Sequence, residues 1–365
     1  MKKDNLTSFQ FACLIGSPIF SLFNGLGSHN LIHIAKVDAW ISVLISFLLG
    51  MIPLAIFIYL FNYKKDLNIL EKNKYLFGPF LGTIINILIN IFIFFIGIVQ
   101  LFNIANFAIS QFLAETPILL LMILLGIILV YNVSHGIKNI SRVAIIFISI
   151  IIILTIISTA GLLPTVDLSN IKPTLEKGIT PPLKGGIVLT LTNVTPIFML
   201  LIIAKGKIND DKNLNKYFLF FYALAFLFAF LAVFLAISSL GIYLCEIYQY
   251  PEYTVLKKIS LFNFIERIEN FIYIKWILNS FITISLVIYH ISNSIKENSK
   301  ILVPSLVTIL LIIISNYLFK TNTVFYYIGL NIFPYLTLSL LFLYLTTFIN
   351  ILIRKIFLTS ITQKR

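Results

Sequence analysis

Apolar stretches of membrane length recur along the chain, parted by short polar segments rich in lysine. A helix of about 20 residues crosses the hydrocarbon core of a bilayer. The pattern predicts ten spans, at 7–28, 39–62, 80–111, 116–133, 142–163, 186–204, 216–244, 263–291, 301–319 and 325–353, numbered 1 to 10 below. A connecting segment at 164–185, carrying Pro164, Pro173, Pro181 and Pro182, parts five spans from five. Five is odd, so the second set must cross with inverted topology. The expected fold is therefore an all-α integral membrane protein. It forms one transmembrane domain of two five-helix repeats, 1–163 and 186–353, with a tail at 354–365.

Two spans break the apolar pattern in their middles. Span 1 contains Gly16-Ser17-Pro18-Ile19-Phe20-Ser21-Leu22-Phe23-Asn24-Gly25-Leu26-Gly27, poor material for an unbroken helix. Span 6, its counterpart across the inversion, contains Thr190-Leu191-Thr192-Asn193-Val194-Thr195-Pro196. A single kinked span means little, because Pro and Gly are frequent in membrane helices and Ser or Thr can bond to their own preceding turn. In lipid, freed backbone groups must find partners, so irregular backbone belongs inside protein or beside a watery cavity. Interrupted spans in corresponding positions of inverted halves point to a small-molecule site near the bilayer midplane. Both helices 1 and 6 are expected to be discontinuous.

Composition agrees with a membrane solvent. Of 365 residues 59% are hydrophobic and 11% charged, and the mean hydropathy is +1.00. The net charge of +13 does not indicate nucleic acid, since the basic residues fall in short loops. With the N-terminus inside, inner segments hold 18 Lys and Arg and outer loops 7, which predicts both termini in the cytoplasm. The start Met1-Lys2-Lys3 precedes an apolar run without a small-residue cleavage site, so the run is read as span 1. The inner loop 63–79 suits a short helix at the headgroups.

Span 8 opens with Glu266-Arg267-Ile268-Glu269, expected as a structural charge network at the outer mouth, and continues to Lys275, read as snorkelling toward the interface. Asn279, Ser280 and Thr283 follow at helical spacing, and span 3 carries Gln100, Asn103, Asn106 and Ser110. Hydrogen bonds between helices account for most of that stripe. Nothing places a nucleophile beside a base. The four histidines, His29, His33, His135 and His290, do not cluster, and Cys13 and Cys245 lie far apart. No enzyme activity, metal or other cofactor is indicated.

Short landmarks in order along the chain carry a resemblance. They are Val37-Asp38-Ala39-Trp40-Ile41-Ser42, Glu115-Thr116-Pro117, Gly136-Ile137 with Ser141-Arg142, and Phe264-Ile265-Glu266-Arg267-Ile268-Glu269. Together they resemble the B subunit of nutrient germinant receptors of endospore-forming bacteria, the spore germination permeases of the amino acid/polyamine/organocation transporter superfamily. The resemblance implies a ten-span fold of the leucine-transporter type, in the cell membrane and, in spores, the inner membrane. It implies two partners, an A subunit and a C-subunit lipoprotein. It also implies a site for an amino acid or similar nutrient lined by helices 1, 3, 6 and 8. Carried onto this chain, that site comprises Ser17, Pro18, Ser21, Asn24 and Gly25, then Phe92, Ile96 and Gln100, then Thr190, Thr192, Asn193, Val194 and Thr195, and Thr283. The chain departs from the family pattern at Ser21-Leu22-Phe23, where many members are glycine-rich. It departs again at Thr195-Pro196-Ile197, where many carry an acid, and at Lys64-Lys65-Asp66 in place of a Tyr-Pro.

The expected function is nutrient sensing: the ligand carboxylate meets amides of a half-helix, and partner subunits read the resulting state. The alternatives are a secondary transporter that moves its ligand, and a subunit that binds none. The fold alone does not choose among them.

Overall fold

Thr7 starts the first helix, α1 (Ser8–Leu22), with a capping box: Gln10 donates its amide to the Thr7 hydroxyl, and the Thr7 amide donates to the Gln10 side chain. Just before it, Leu6–Thr7 pairs in parallel with Ile208–Asn209, the register setting Leu6 against Ile208. The computed structural model describes residues 5–209, 212–258, 269–297 and 299–362, and nearly all the rest of it is helix.

In chain order these helices are α2 (Ser28–Ala35), α3 (Ala39–Asn62), α4 (Ile69–Gln111), α5 (Ile118–Ser134), α6 (Ile137–Leu162) and α7 (Thr180–Leu189). There follow α8 (Leu214–Leu240), α9 (Ile242–Ile247), α10 (Pro251–Thr254), α11 (Asn270–Ile295), α12 (Leu302–Leu318), α13 (Asn322–Asn331) and α14 (Phe333–Thr362). Among the described residues seven helical runs are long and apolar enough to cross a membrane, and α12 with α13, bent by 104°, makes an eighth if counted as one span. The chain is an all-α membrane protein.

The runs differ from the expected spans for identifiable reasons. Spans 1 and 2 form one run, Ser8–Asn62, because Lys36–Asp38 is a tight 3-10 turn that leaves no gap between α2 and α3. Span 4 is 17 residues of helix, α5. Span 10 does not begin at 325 as one helix; the chain turns after Asn331, and Pro334 stands in the first turn of α14. The inner loop does lead into a helix, the start of α4, capped by Asn68 and Glu71 and bent at Gly78 (φ 80°). Lys72 there is buried, donating to the Leu60 carbonyl at 2.8 Å.

Every residue of α1 from Phe11 to Leu22 is buried. A helix buried all round belongs at the centre of a bundle. α1 packs chiefly on α8, α11 and α6, while α3 lies on α7 and α4 on α11. The side chains turned outward are apolar, as Leu48, Ile127 and Ile156 illustrate, each 64% exposed. Such a surface suits lipid. The segment 164–185 ties the halves together: Asn170 donates to the Ser238 carbonyl and Asp38 accepts from the Leu175 amide, both at 2.9 Å.

A broken helix at the centre of the bundle

The break in the first helix is real, and it lies at Asn24 and Gly25. Asn24 is extended (φ −64°, ψ 136°) and Gly25 left-handed (φ 72°, ψ −91°). Only glycine fits Gly25, for two reasons: its φ strains any L side chain, and a Cβ would overlap the Trp276 ring. The expectation for span 6 needs correcting. That segment changes winding, from π over Thr190–Val194 to 3-10 over Thr195–Ile202, without the left-handed or extended torsions of the first break. Thr190 and Thr192 donate to the Gly186 and Val188 carbonyls (2.8 and 3.0 Å), and Pro196 brings no amide, so the helix rewinds rather than parts.

The freed backbone and the side chains of the first break find partners on four other elements. Phe23 turns its amide to Phe20, and the carbonyl of Ile19 is met instead by Asn193 Nδ2 at 2.9 Å. Thr192 donates to Asn193 Oδ1 (2.7 Å), which fixes that amide. Gln100 Nε2 reaches the Ser21 carbonyl (3.2 Å) and the Ser280 hydroxyl (2.6 Å), and Asn103 Nδ2 the Asn24 carbonyl (3.0 Å). Ser21 Oγ lies 2.7 Å from Thr283 Oγ1, whose own proton goes to the Asn279 carbonyl. Glu252, from α10 in the loop after α8, accepts from the Gly25 amide (2.9 Å) and the Ser28 hydroxyl (3.0 Å) through one oxygen.

Ser21, Asn24, Gly25, Gln100, Asn193 and Thr283 thus converge on the break, together with Thr192 through Asn193. Thr190 turns to Ser46 of α3 instead (3.0 Å). Ser17 and Thr195 are buried with hydroxyls that have no partner, and Pro18 and Val194 are buried beside them. Phe92 and Ile96 supply apolar side chains of α4, half-buried and buried. Of the charge network, Glu266 and Arg267 lie outside the described residues; Glu269 stands half-buried just before α11. Lys275 does not snorkel: it is buried and donates to Ser158 Oγ at 3.0 Å.

Glu252 escaped the sequence reading because it sits in an outer loop and not in a span. The signal available was Pro251-Glu252, a helix-opening pair among Tyr248, Tyr250 and Tyr253. Burial pushes its carboxyl above the ordinary range, opposed by the hydrogen bonds from Gly25 and Ser28. One consequence concerns the ligand. The amide expected to meet a ligand carboxylate already holds a carboxylate of the chain itself. Among the described residues no group of three metal-binding side chains occurs, and the break offers hydrogen bonds and shape rather than bond-making chemistry.

Comparison with known proteins agrees with the resemblance carried by the sequence landmarks. The sequence profile of the family described as "Spore germination protein" matches residues 4–324. The chain is similar to spore germination protein XB of Bacillus anthracis, 26% identical over 275 residues, which cover 75% of this chain and 76% of the relative. It is similar to spore germination protein KB of Bacillus subtilis, 26% identical over 271 residues, 72% of each. A third relative, spore germination protein YndE of Bacillus subtilis, is 25% identical over 268 residues, 71% of each. With a family profile matched over nearly its whole length, this chain belongs to the spore germination protein family.

Proposed function

We propose that the chain is the membrane subunit of a nutrient germinant receptor, binding a small nutrient, an amino acid in the first instance, at the break of its first helix. The observation that carries this reading is the break itself: buried at the centre of the bundle, left-handed at Gly25, and met by polar groups from α4, α10, α11 and the 190–194 segment. Backbone of that kind at membrane depth is tolerated inside protein or beside a cavity, and in transporter-type folds it lines a site. Membership of a spore germination family supports germination as the setting.

The architecture we propose is ten spans in two inverted sets of five, which divides Ser8–Asn62 at Lys36 and counts α5 as a short span. Both termini lie in the cytoplasm, and in the spore the chain sits in the inner membrane. An A subunit and a C-subunit lipoprotein read its state, which a ligand shifts only by favouring one conformation over another. The chain works by binding, not as an enzyme.

Thermal-shift screening of the purified protein against amino acids, sugars and nucleosides tests this reading. One compound class is expected to raise the melting temperature, and Ser21→Leu and Asn193→Leu, which disturb the break, to weaken the effect. If no compound stabilises the protein, a subunit that binds no nutrient takes its place. Uptake of the stabilising compound by the protein alone in vesicles, driven by an ion gradient, would instead make it a carrier.

A further inference from the structure

At the end of the bundle where the described chain begins lies an open cavity of about 690 Å³, with Asn5 in its lining. In the proposed topology this is the cytoplasmic face. Four other stretches wall it: the turn between α5 and α6, the segment at 206–207, the last turns of α11 and the approach to α12. Three of these bring a lysine, Lys138, Lys207 and Lys300, and no carboxylate lines the cavity among the described residues. Two carboxylates stand just outside: Glu297 pairs with Lys207 at 3.2 Å, and Asp66 lies beside Gly206. The lining itself is therefore positive.

Two further features mark it as a ligand site. α6 begins at Ile137 directly after left-handed Gly136 (φ 81°), no side chain caps it, and the space at Gly136 is open. The first amides of a helix have no partner within it, and together they favour an anion. The second feature is Ser292, on α11. It is 2% exposed, the most enclosed residue of the lining, and its Oγ has no hydrogen-bond partner. A buried hydroxyl without a partner is a cost that native structures rarely carry.

Apolar surface borders the cavity. Tyr131, one turn before Ser134 of the lining, is 67% exposed, and Ile301 and Leu302, which follow Lys300, are 64% and 72% exposed. Basic pockets between helices on the cytoplasmic side of a membrane take anionic headgroups. We infer that this cavity holds the phosphate headgroup of an anionic phospholipid, its oxygens on the start of α6, Lys138 and Lys300, with the Ser292 hydroxyl as a further donor. A free phosphate shares that chemistry; the apolar border, which suits acyl chains, favours the lipid. A headgroup there joins the inner ends of α5, α6, α11 and α12 beside the strand pair of Leu6–Thr7 with Ile208–Asn209. This site is separate from the break of the first helix, and its occupancy does not depend on a nutrient.

The full chain, purified in a neutral detergent and stripped of lipid, is melted with four probes: dioleoyl phosphatidylglycerol, dioleoyl phosphatidylcholine, inorganic phosphate and an oligoglutamate peptide. Phosphatidylglycerol is expected to raise the melting temperature saturably, and the other three at matched concentration to raise it little. Lys138→Gln and Lys300→Gln should each weaken apparent affinity for phosphatidylglycerol about fivefold, the scale of one lysine near an anionic surface. Ser292→Ala should weaken it too, whereas Lys177→Gln, at an exposed lysine in the segment after α6, should not. The probe series needs no variant, so the inference stays exposed even if a substitution prevents folding.

Equal protection by phosphatidylcholine would reduce the effect to general solvation by lipid and overturn the inference. Inorganic phosphate matching phosphatidylglycerol would make this a site for a soluble anion. The peptide protecting in place of lipid would make it a docking place for an acidic protein segment. Either result overturns the lipid assignment, as would an equal loss in Lys177→Gln or no response to any probe.

Discussion

At the scale of single residues, Gly25 and Glu252 carry the most. Gly25→Ala combines a left-handed φ with overlap on Trp276. Strain and overpacking of this kind cost about 2–4 kcal/mol together. The expected outcome is a melting temperature several degrees below that of the unaltered chain; an unchanged one would contradict the geometry of the break. Glu252 yields a pH prediction. Its carboxyl binds a proton more tightly in the folded chain than its ordinary value of 4.5, because burial outweighs the donors Gly25 and Ser28. The folded state therefore holds the proton over a window in which the unfolded chain has released it. Stability from this group is full below about 4.5 and declines as pH rises through the raised value. Tyr250 and Tyr326 interact with the same carboxyl, and Lys275 lines the same cavity as Glu252. Melting curves of the unaltered chain and of Glu252→Gln against pH should converge or cross accordingly, the unaltered chain losing ground to the variant from acid toward neutral pH. Parallel curves would contradict the shift.

At the scale of elements, the two irregular segments solve one problem in different ways. The first helix parts, and its freed groups are answered from outside it, whereas the 190–202 segment keeps helical torsions and changes its winding. Asn193 links them through the Ile19 carbonyl. Asn193→Leu leaves that carbonyl buried without its donor, a loss of about 1–3 kcal/mol. The same change at exposed Asn331, which bonds only within its own helix, should stay within about 0.5 kcal/mol. Thermal or denaturant unfolding of the two variants side by side checks the contrast. The first break was legible because proline, glycine and asparagine in the middle of an apolar run have few other uses. The winding of the second was not, since Thr190 and Thr192 had two options, to line a site or to bond their own preceding turn. Packing against Ser46 and Asn193 decided how each was used.

At the scale of the whole molecule, the proposed orientation rests on lysine and arginine in the loops. A cysteine in place of Lys177, in the segment after α6, should react in intact cells with a thiol reagent that cannot cross the membrane. One in place of Lys212, before α8, should react only after the cells are opened. The native Cys13 and Cys245 are each 1% exposed and should contribute little background. The reverse labelling pattern would invert the proposed topology. Within the bundle, lipid offers no hydrophobic drive for helices to associate, so packing and interhelical hydrogen bonds hold the break closed. Those bonds come from α4, α11 and the loop after α8, elements far apart in sequence.

The sequence by itself determined that the chain is a helical membrane protein and where its first helix fails, because hydropathy and helix-breaking residues act locally, within a few turns. It also exposed Gln100, Asn103 and Thr283 as polar groups that must face protein. Only the tertiary structure decided that Glu252 occupies the end of the broken helix and that Lys275 faces the same cavity. The partners of a buried charge come from whichever elements pack around it. Periodicity along one helix carries no record of what a loop folded back from elsewhere will bring to it.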